Sequence, residues 1–583
     1  MRFTILTLLL CMTQSVWAGA LSANPLLGDY AWYEQARAEL AAGDFANATR
    51  DFQSILTQTP ESRFVDDAHD GLIDTAIAAQ QWNAAAAHIA DAARVMNAPG
   101  TARYLDERRA ELALAKGDVA DARARYLALY ASSHYPDEAH RAKLGIQHLL
   151  TRFGVDLWHE LTVAQRQQIA QGMLTRGFAT EASWFLDLPG AGQSINAQSL
   201  AEIHFRARRY ARAARVLGAL WNAGDHNIEL AQTYATALAR SDHADDAIAV
   251  QRQITTLATD PAVIATAKYK VAFLLTDSGH YDEAVIAWPA WLADPHRARG
   301  GEGEAQWQMA WAEYRQQHWD AALAQLSTQH SARAEYWRAR ILQCAGRNAE
   351  ARALLNQVAR EFAGSYYGAL ASARLRGKSK SLFVLEHSGG KSKQHAHVSW
   401  DGAMSAKAQA LLKIGRWEDA VEEMDYAAQC AGRSAIAFAA RHHAALTQYS
   451  QRFGLDPHLV EGVMQQESAL RTDAVSPVGA IGLLQLMPRT AERVAKNIGE
   501  SDFQVRELFR PVPNLRLGIA YLHDLLQRYH GSLAHMLASY NAGEQAVDRW
   551  LRMRADHDIE EFIETIPFTE TRQYVMKILS RYW

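Results

Sequence analysis

Hydrophobic positions recur in a short repeated pattern between about residues 30 and 375. A polar or glycine-containing turn is followed by a residue that is usually apolar, by Ala three positions later and usually by a large apolar residue seven positions later. The copies are Phe45–Ala48–Phe52, Trp82–Ala85–Ile89, Val119–Ala122–Tyr126, Tyr210–Ala213–Leu217, Tyr281–Ala284–Trp288, Trp319–Ala322–Leu326 and, with a polar first member, Asn348–Ala351–Leu355.

Such copies predict pairs of helices. Phe45, Trp82 and Val119 are spaced by 37 residues, near the period of tetratricopeptide-type helical hairpins. Offsets of three and seven share one helix face, and Ala lets the partner helix come close. The pattern therefore predicts an all-α solenoid, irregular between Tyr126 and Tyr210. We expect its many Trp and Tyr residues to fill the space between helices rather than to stack on sugars.

Periodicity stops in Gly377–Val398, which is rich in Gly, Ser, Lys and His. We expect an exposed loop there. Its His residues lack Cys or carboxylates at ligand spacing, so no metal site is predicted. Helical periodicity resumes over residues 406–450, where Trp417 and Ala420 provide one further copy of the repeat.

A different helix is predicted from Asp456-Pro457, an N-cap side chain followed by a proline suited to the first turn. Val460, Val463, Met464 and Glu467 follow at helical spacing, and turn-forming residues come soon after. We expect Glu467 to end this helix on its apolar stripe. Burial and the negative end of the helix dipole would both favour the protonated carboxyl. The alternative is a semi-exposed Glu whose carboxylate reaches solvent.

The remaining C-terminal segment predicts further helices and no strand. These are expected near Thr490–Ile498, Leu515–Tyr529 and Leu533–Tyr540 and as terminal helices to Trp583, with a loop around Leu508–Pro513. Residues 479–488, GAIGLLQLMP, place two glycines and an amide among apolar residues. Glycine permits close backbone approach, and Gln485 can donate to and accept from a sugar or an N-acetyl group.

The composition and the first residues of the chain indicate the compartment of the protein and the classes of partner it binds. Met1–Ala18 has Arg2, an apolar run and small residues near its end, which predicts a cleaved secretory signal peptide. No other apolar run approaches membrane length. The net charge of −4 argues against a nucleic-acid partner. After cleavage two cysteines remain, Cys344 and Cys430, either bridged or as free buried thiols.

Four motifs occur in order over the last quarter of the chain: Glu467-Ser468, Gly482-Leu483-Leu484-Gln485, Tyr540-Asn541-Ala542-Gly543 and Ile566–Val575, IPFTETRQYV. Together they resemble the catalytic domain of the soluble lytic murein transglycosylases, the large periplasmic family with an α-superhelical N-terminal part. Two departures are visible. Leu484 replaces the usual Met, a volume-conserving change, and Glu544 replaces a frequent Pro.

The resemblance implies an architecture and a compartment. Residues 19–376 would form a ring-shaped superhelix, residues 377–450 a linker region with a small helical domain, and residues 451–583 a lysozyme-like catalytic domain. The protein would be periplasmic, without cofactor or metal. Its partners would be peptidoglycan glycan strands, with other cell-wall enzymes as further candidates.

The resemblance also implies the chemistry. Glu467 would protonate the glycosidic oxygen between N-acetylmuramic acid and N-acetylglucosamine, then deprotonate the C6 hydroxyl to close a 1,6-anhydro ring. The implied substrate-binding residues are Ser468, Ser476, Gln485, Met487, Tyr540, Asn541, Glu570 and Arg572. Structural alternatives remain for several: helix capping for Ser476, loop bracing for Gln485 and core packing for Met487 and Tyr540.

Ordinary glycosidases use two carboxylates. The sequence offers Asp473, in a turn where it could instead cap the next segment, and Glu461, which we expect to be solvated because it lies well round the helix. Two other functions remain open. A goose-type hydrolase would cut the same bond with water, and a non-enzymatic scaffold would bind glycan without cutting it.

Overall fold

A computed structural model describes residues 20–96, 101–133, 136–187, 195–224, 226–385, 404–430, 438–476, 478–500 and 503–583. The predicted signal peptide, Met1–Ala18, lies outside these residues. Across the described ranges the regular structure is helical, and strand pairing is limited to isolated bridges such as Val475 with Ile481. The predicted all-α fold class is confirmed. Within the same ranges, no helix has the length and apolarity needed to cross a bilayer.

The solenoid region is a run of helices in which most neighbours in sequence pack against each other. Its helices are α1 (Gly28–Ala42), α2 (Phe45–Gln58), α3 (Val65–Ala78), α4 (Trp82–Val95), α5 (Thr101–Lys116), α6 (Val119–Ala131), α7 (Pro136–Phe153), α8 (Leu157–Glu160), α9 (Val163–Thr175), α10 (Ala179–Leu186), α11 (Ala197–Arg206), α12 (Tyr210–Asn222), α13 (Ile228–Arg240), α14 (Ala244–Leu257), α15 (Pro261–Asp277), α16 (Tyr281–Leu292), α17 (Glu302–Arg315), α18 (Trp319–Leu326), α19 (Ala332–Cys344), α20 (Asn348–Glu361) and α21 (Tyr366–Leu375).

The repeat pattern marks the starts of these helices. The first member of every predicted copy, from Phe45 to Asn348, is the first residue of a helix. The Ala of each copy is fully buried, and the residue seven positions after the start is buried as well. Small Ala side chains let the partner helix approach, and the larger residues fill the space that remains. The predicted solenoid is therefore confirmed, and its ring shape remains a prediction.

A short 3-10 helix, Lys380–Phe383, follows α21. Phe383 is buried, and the Leu385 amide donates to the Gly531 carbonyl at 3.1 Å. Residues 377, 378, 380 and 381 are exposed, as expected for the predicted exposed loop, so that prediction is wrong only where Phe383 is buried. The rest of that prediction, from residue 386 to Val398, lies outside the described residues.

The remaining helices are α22 (Ala406–Lys413), α23 (Trp417–Cys430), α24 (Phe438–Arg452), α25 (Pro457–Glu467), α26 (Pro488–Asn497), α27 (Pro511–Arg528), α28 (Leu533–Ala542), α29 (Glu544–Met553), α30 (Ile559–Glu564) and α31 (Thr569–Tyr582). A 3-10 helix, Val505–Phe509, precedes α27. A loop was predicted around Leu508–Pro513, but α27 already begins at Pro511, so the prediction is wrong for the second half of this segment. Proline is tolerated at the first position of a helix because its missing N–H would have no partner there.

The chain divides into two compact units. One comprises Met1–Thr162, Lys391–Phe453 and Glu467–Ala520, and the other comprises Val163–Gly390, Gly454–Gln466 and Tyr521–Trp583. The domain limits 1–18, 19–376, 377–450 and 451–583 remain predictions. Among the described residues, Cys344 and Cys430 are free and exposed, so they are neither bridged nor buried, and both alternatives predicted for them are wrong.

In the first unit, a buried carboxylate joins three segments that are far apart in sequence. Glu422 on α23 accepts from Arg63, before α3, at 2.5 Å and from Arg510, before α27. Burial acts to raise the pKa of Glu422, but the two guanidinium groups hold it below its usual range. This ion cluster ties the helices after residue 404 to the first solenoid hairpins.

In the second unit, α30 is buried against the solenoid although its sequence, IEEFIE, is acidic. Glu560, Glu561 and Glu564 are all buried. Their donors come from α17, α19 and α21: Tyr336, Arg340 and Arg374 for Glu560, Tyr314 and Arg315 for Glu561, and Arg333, Trp337 and Tyr367 for Glu564. Each buried charge is therefore both paired and hydrogen-bonded, as burial of a carboxylate requires.

Candidate active site

Helix α25 carries the candidate acid at its last position. Asp456 caps the helix, since its Oδ1 accepts from the His458 amide at 2.9 Å, and the helix ends at Glu467 as predicted. Val460, Val463 and Met464 are fully buried, and Glu467 continues their stripe. Glu467 is half-buried. The candidate acid is thus a half-buried residue at the C-terminal end of a helix.

The backbone reverses immediately after this helix. Ala469 and Leu470 have φ values of 51° and 65°, a left-handed conformation that non-glycine residues seldom adopt. Two such residues in succession cost roughly 1–3 kcal/mol each, and they persist only when the surroundings hold them. The position of Glu467 therefore depends on support from the segment that follows.

The nearby carboxylates lie elsewhere. Glu461 is exposed, as predicted, beside His458. Asp473 is also exposed and forms an ion pair with Arg471, Nε to Oδ1 at 3.2 Å. The bonds of Asp473 do not cap the next segment, which was the expected structural alternative. Neither side chain shows the burial of Glu467.

The loop from Ala474 to Met487 folds back on itself. The Gly482 amide donates to the Ala474 carbonyl at 2.8 Å, and Ile481 and Leu486 exchange two backbone hydrogen bonds. Ser476 braces a turn, because its Oγ accepts from the Ala480 amide at 2.9 Å. The structural role of Ser476 is thus to close a turn rather than to cap a helix.

Gln485 sits in this loop with a φ of 46°. Its Nε2 donates to the carbonyls of Gly482 and Ala474, at 2.9 and 3.1 Å. The predicted bracing role is therefore present in the structure. Both of these bonds use the amide nitrogen, so the carbonyl oxygen of the same amide is the atom suited to accept from a sugar hydroxyl or N–H.

Ser468 and Met487 differ in exposure. Ser468, next to Glu467, is buried, and its Oγ donates to the Leu483 carbonyl at 2.8 Å. Met487 precedes α26 and is 36% exposed, so the alternative of core packing is wrong for this residue. Val475 and Val478 on the same loop are also exposed. An exposed apolar surface suits contact with the face of a sugar ring.

Asn514 contacts this loop, and the sequence alone did not identify it as a candidate site residue. Its side chain lies 1% exposed at the start of α27 and bonds to the loop backbone at Ile481 and Leu484. The available signal was an amide inside an apolar stretch, VPNLRLGIAYL. That signal does not reveal which segment the amide contacts.

Tyr540 and Asn541 lie in the second unit, at the end of α28. Tyr540 is half-buried, and its ring centre lies 5.4 Å from that of Tyr521. Asn541 Oδ1 accepts from Thr571 Oγ1 at 2.6 Å. Gly543, with φ 89° and ψ 149°, lies between α28 and α29 in a conformation open only to glycine.

The structure also explains Glu544. It is the first residue of α29, where a proline and an acidic side chain are both favourable. Its carboxylate lies 3.8 Å from Arg528 and 3.5 Å from the Tyr521 hydroxyl. The departure from the family motif therefore preserves the helix start.

The two most C-terminal candidates lie on α31. Glu570 is exposed in its first turn. Arg572 is half-buried, and its Nη1 donates to the Glu564 carbonyl at 3.2 Å. Of the nine predicted residues, the first unit contains Glu467, Ser468, Ser476, Gln485 and Met487, and the second contains Tyr540, Asn541, Glu570 and Arg572.

The segment that contains the helix-terminal Glu and the glycine-containing loop is similar to a known family of domains. Residues 445–563 match the family model described as the transglycosylase SLT domain. The predicted resemblance to the soluble lytic murein transglycosylases is confirmed for this part of the chain.

Individual relatives agree with that class. A soluble lytic murein transglycosylase of Salmonella typhimurium is 35% identical over 136 residues, which is 23% of this chain and 21% of the relative. The Escherichia coli K12 protein of the same description is 38% identical over 120 residues, 20% of this chain and 19% of the relative. The aligned region thus spans about a fifth of these relatives.

A solved structure aligns with a larger part of the chain. It is an inactive mutant of the lytic transglycosylase Slt from Pseudomonas aeruginosa, 22% identical, with coverage of 97% of this chain and 92% of that chain and a TM-score of 0.45.

Proposed function

We propose that the protein is a lytic transglycosylase that cleaves the β-1,4 bond between N-acetylmuramic acid and N-acetylglucosamine in peptidoglycan. The observation that carries the proposal is Glu467, half-buried at the end of α25, within a segment that matches the SLT domain. The substrate is a glycan strand, and the site of action is the cell wall outside the cytoplasmic membrane.

A single carboxyl group performs both proton transfers. Glu467 first gives its proton to the glycosidic oxygen, so the bond to the muramic acid C1 breaks with assistance from the substrate's N-acetyl group. Glu467, now a carboxylate, takes the proton of the C6 hydroxyl as O6 bonds to C1. The acid is regenerated and no water is consumed. Acid–base catalysis of this kind contributes roughly 10²–10⁴-fold.

The surroundings of Glu467 support the one-carboxylate route. On α25 and the segment after it, Glu461 and Asp473 are both exposed, and Asp473 is paired with Arg471. A second catalytic carboxylate would instead face the first across the reacting bond. In the proposed route the attacking oxygen comes from the substrate, and the products of digestion distinguish this route from attack by water.

Other site residues would bind the sugar. The carbonyl oxygen of Gln485 accepts a hydrogen bond from it, and the exposed Met487 lies against a ring face. Ser476, Tyr540 and Asn541 contribute polar contacts, and Glu570 and Arg572 pair with the charged groups of the stem peptide. Association with other cell-wall enzymes remains a prediction.

The test is digestion of purified sacculi by the full chain and by Glu467→Gln, followed by mass spectrometry of the products. The wild type is expected to release muropeptides that each lack one water, the mark of a 1,6-anhydro end, and Glu467→Gln to release none. Products with reducing ends would identify a hydrolase instead. Sacculus binding without release by the wild type would identify a scaffold.

A further inference from the structure

The Asn514 side chain uses three hydrogen-bonding positions within one unit. Its Nδ2 donates to the carbonyls of Ile481 and Leu508, and its Oδ1 accepts from the Leu484 amide, each at 2.9 Å. The side chain is 1% exposed. An amide is suited to this position because it donates and accepts at once, whereas a carboxylate only accepts.

The segment Ile481–Leu486, here called the glycine loop, fits closely against this amide. A Cβ atom at Gly482 would lie 2.2 Å from Asn514 Nδ2 and 2.5 Å from the Leu508 carbonyl oxygen. One helical turn after Asn514, a Cβ atom at Gly518 would lie 2.3 Å from Leu484 Cδ1. Positions 514 and 518 share a face of α27, so this face holds both the backbone and the Leu484 side chain of the loop.

The glycine loop in turn contacts the residue next to the candidate acid. The Leu483 carbonyl accepts from Ser468 Oγ at 2.8 Å, and Ser468 follows Glu467 directly. Ser468 is buried, whereas Ala469 and Leu470 beyond it adopt the left-handed backbone conformation. A conformation of this cost persists only when its surroundings enforce it, and the Ser468–Leu483 bond is one such constraint.

From these contacts we infer that Asn514 is a positioning residue for the reaction. It fixes the glycine loop, the loop fixes Ser468, and Ser468 fixes the end of α25 where Glu467 lies. The same amide sets the loop backbone from which Gln485 extends. The inference rests on the proposed function, because it concerns the placement of the acid in that reaction.

The first experiment compares full-length Asn514→Ala with Asn497→Ala, a change at an exposed amide at the end of α26. Displacement of a catalytic group by about 1 Å can cost roughly 10²-fold in rate. We therefore expect kcat of Asn514→Ala on glycan strands to fall 10- to 100-fold, with KM changed less than about threefold. Asn497→Ala should retain wild-type kcat. A folded Asn514→Ala with unchanged kcat, or with a change confined to KM, would overturn the inference.

A second variant covers the case in which Asn514→Ala does not fold. Ser468→Ala removes a single hydroxyl group, and we expect it to lower kcat while circular dichroism stays native. Where both single variants fold, the double variant should be no slower than the slower single variant by more than about twofold, because the two residues act through the same loop. The inference would be contradicted if the losses in kcat of the two single variants multiplied in the double variant, or if Ser468→Ala were fully active.

A third readout does not depend on catalysis. Hydrogen exchange of peptides that contain the Leu484 amide should accelerate in Asn514→Ala and stay unchanged in Asn497→Ala. If Glu467→Gln retains full activity, the proposed function fails whatever Asn514 does. If Glu467→Gln is inactive while Asn514→Ala is fully active with rapid exchange at Leu484, the positioning role alone fails.

Discussion

At the scale of single residues, the glycine loop beside the candidate acid has no space for a side chain at position 482. Gly482 combines a φ of 77° with backbone and amide atoms closer than any side chain allows. Asn514 supplies bonds that no apolar residue of its size could make. The chemistry of the site thus depends on two residues that do not themselves react.

Gly482→Ala should separate close packing from backbone strain when it is compared with Gly499→Ala. Gly499 has a similar positive φ of 89° but open space where its Cβ would be. Both variants incur the cost of a left-handed alanine, and only Gly482→Ala also overpacks. We expect the free energy of unfolding of Gly482→Ala to be about 2–3 kcal/mol lower than that of Gly499→Ala. Gly482→Ala should therefore have the lower unfolding midpoint and should also lose lytic activity. Equal midpoints for the two variants would show that the loop can move aside.

A pH effect on stability is expected at His535. Burial lowers the pKa of His535 from 6.5 to about 4, so the unfolded chain binds a proton between these values and the folded chain does not. Stability from this residue is therefore present above pH 6.5 and lost as the pH falls towards 4, by up to about 3 kcal/mol.

Thermal unfolding at pH 7 and pH 4.5 measures this contribution. His535→Gln, which cannot be protonated there, should lose less stability on acidification than the wild type. His458→Gln, at a side chain that is 80% exposed, should behave like the wild type. An unchanged pH dependence in His535→Gln would assign the acid sensitivity to other groups.

At the scale of elements, the starts of helices were predicted correctly for every copy of the repeat that was identified, and each of those copies begins with a residue larger than Ala. Helices α10 and α14 also follow the pattern, with Ala182 and Ala247 fully buried, but both begin with Ala. In α14 the residue seven positions after the start is the buried Gln251. Whether these two helices belong to the repeat depends on how they pack against neighbouring helices, and the local pattern of hydrophobic residues does not encode that packing. Asn514 was missed for the same reason, since its partners lie up to 33 residues away.

Helix α30 shows the same limit more strongly. An acidic segment such as IEEFIE is typical of a solvated helix surface, and its burial follows from donors at least 186 residues away in sequence. Only the tertiary structure brings those donors together. The helix that ends at Glu467, by contrast, was predicted from its cap and its apolar spacing, because both signals are local.

Arg340→Met tests the contribution of these buried ion pairs. Arg340 is buried and donates to Glu560 and Asp558. Its loss leaves a buried carboxylate with fewer donors, and breaking a buried pair costs about 3–5 kcal/mol. Thermal unfolding should show a clear drop for Arg340→Met. The control is Arg347→Met, which removes an exposed pair with Glu350 and should leave the midpoint unchanged. Equal midpoints in both variants would contradict the structural role of the α30 contacts.

At the scale of the whole molecule, the C-terminal helices belong to the same compact unit as part of the solenoid. Helix α31 packs against α21, and the Trp583 indole donates to the Leu382 carbonyl at 3.0 Å. The folding of residues 521–583 is therefore coupled to solenoid helices far away in sequence. A catalytic domain predicted from motifs alone gives no sign of this coupling.

A fragment of residues 451–583 provides the test. Within it, Glu560, Glu561 and Glu564 lack all their solenoid donors, and α30 has only six residues to sustain itself. We expect the fragment to unfold at a lower temperature than the full chain and to exchange the amides of 559–564 rapidly. An equal midpoint for the fragment and the full chain would show that the segment is independent of the solenoid.

The burial of α30 has a mechanical consequence. Eight side chains from three solenoid helices converge on three carboxylates spaced over about one helical turn. Bending of the solenoid between α17 and α21 would change the distances between these donors and therefore act on α30. The terminal helices and this part of the solenoid are therefore mechanically coupled, so a force that deforms one also acts on the other.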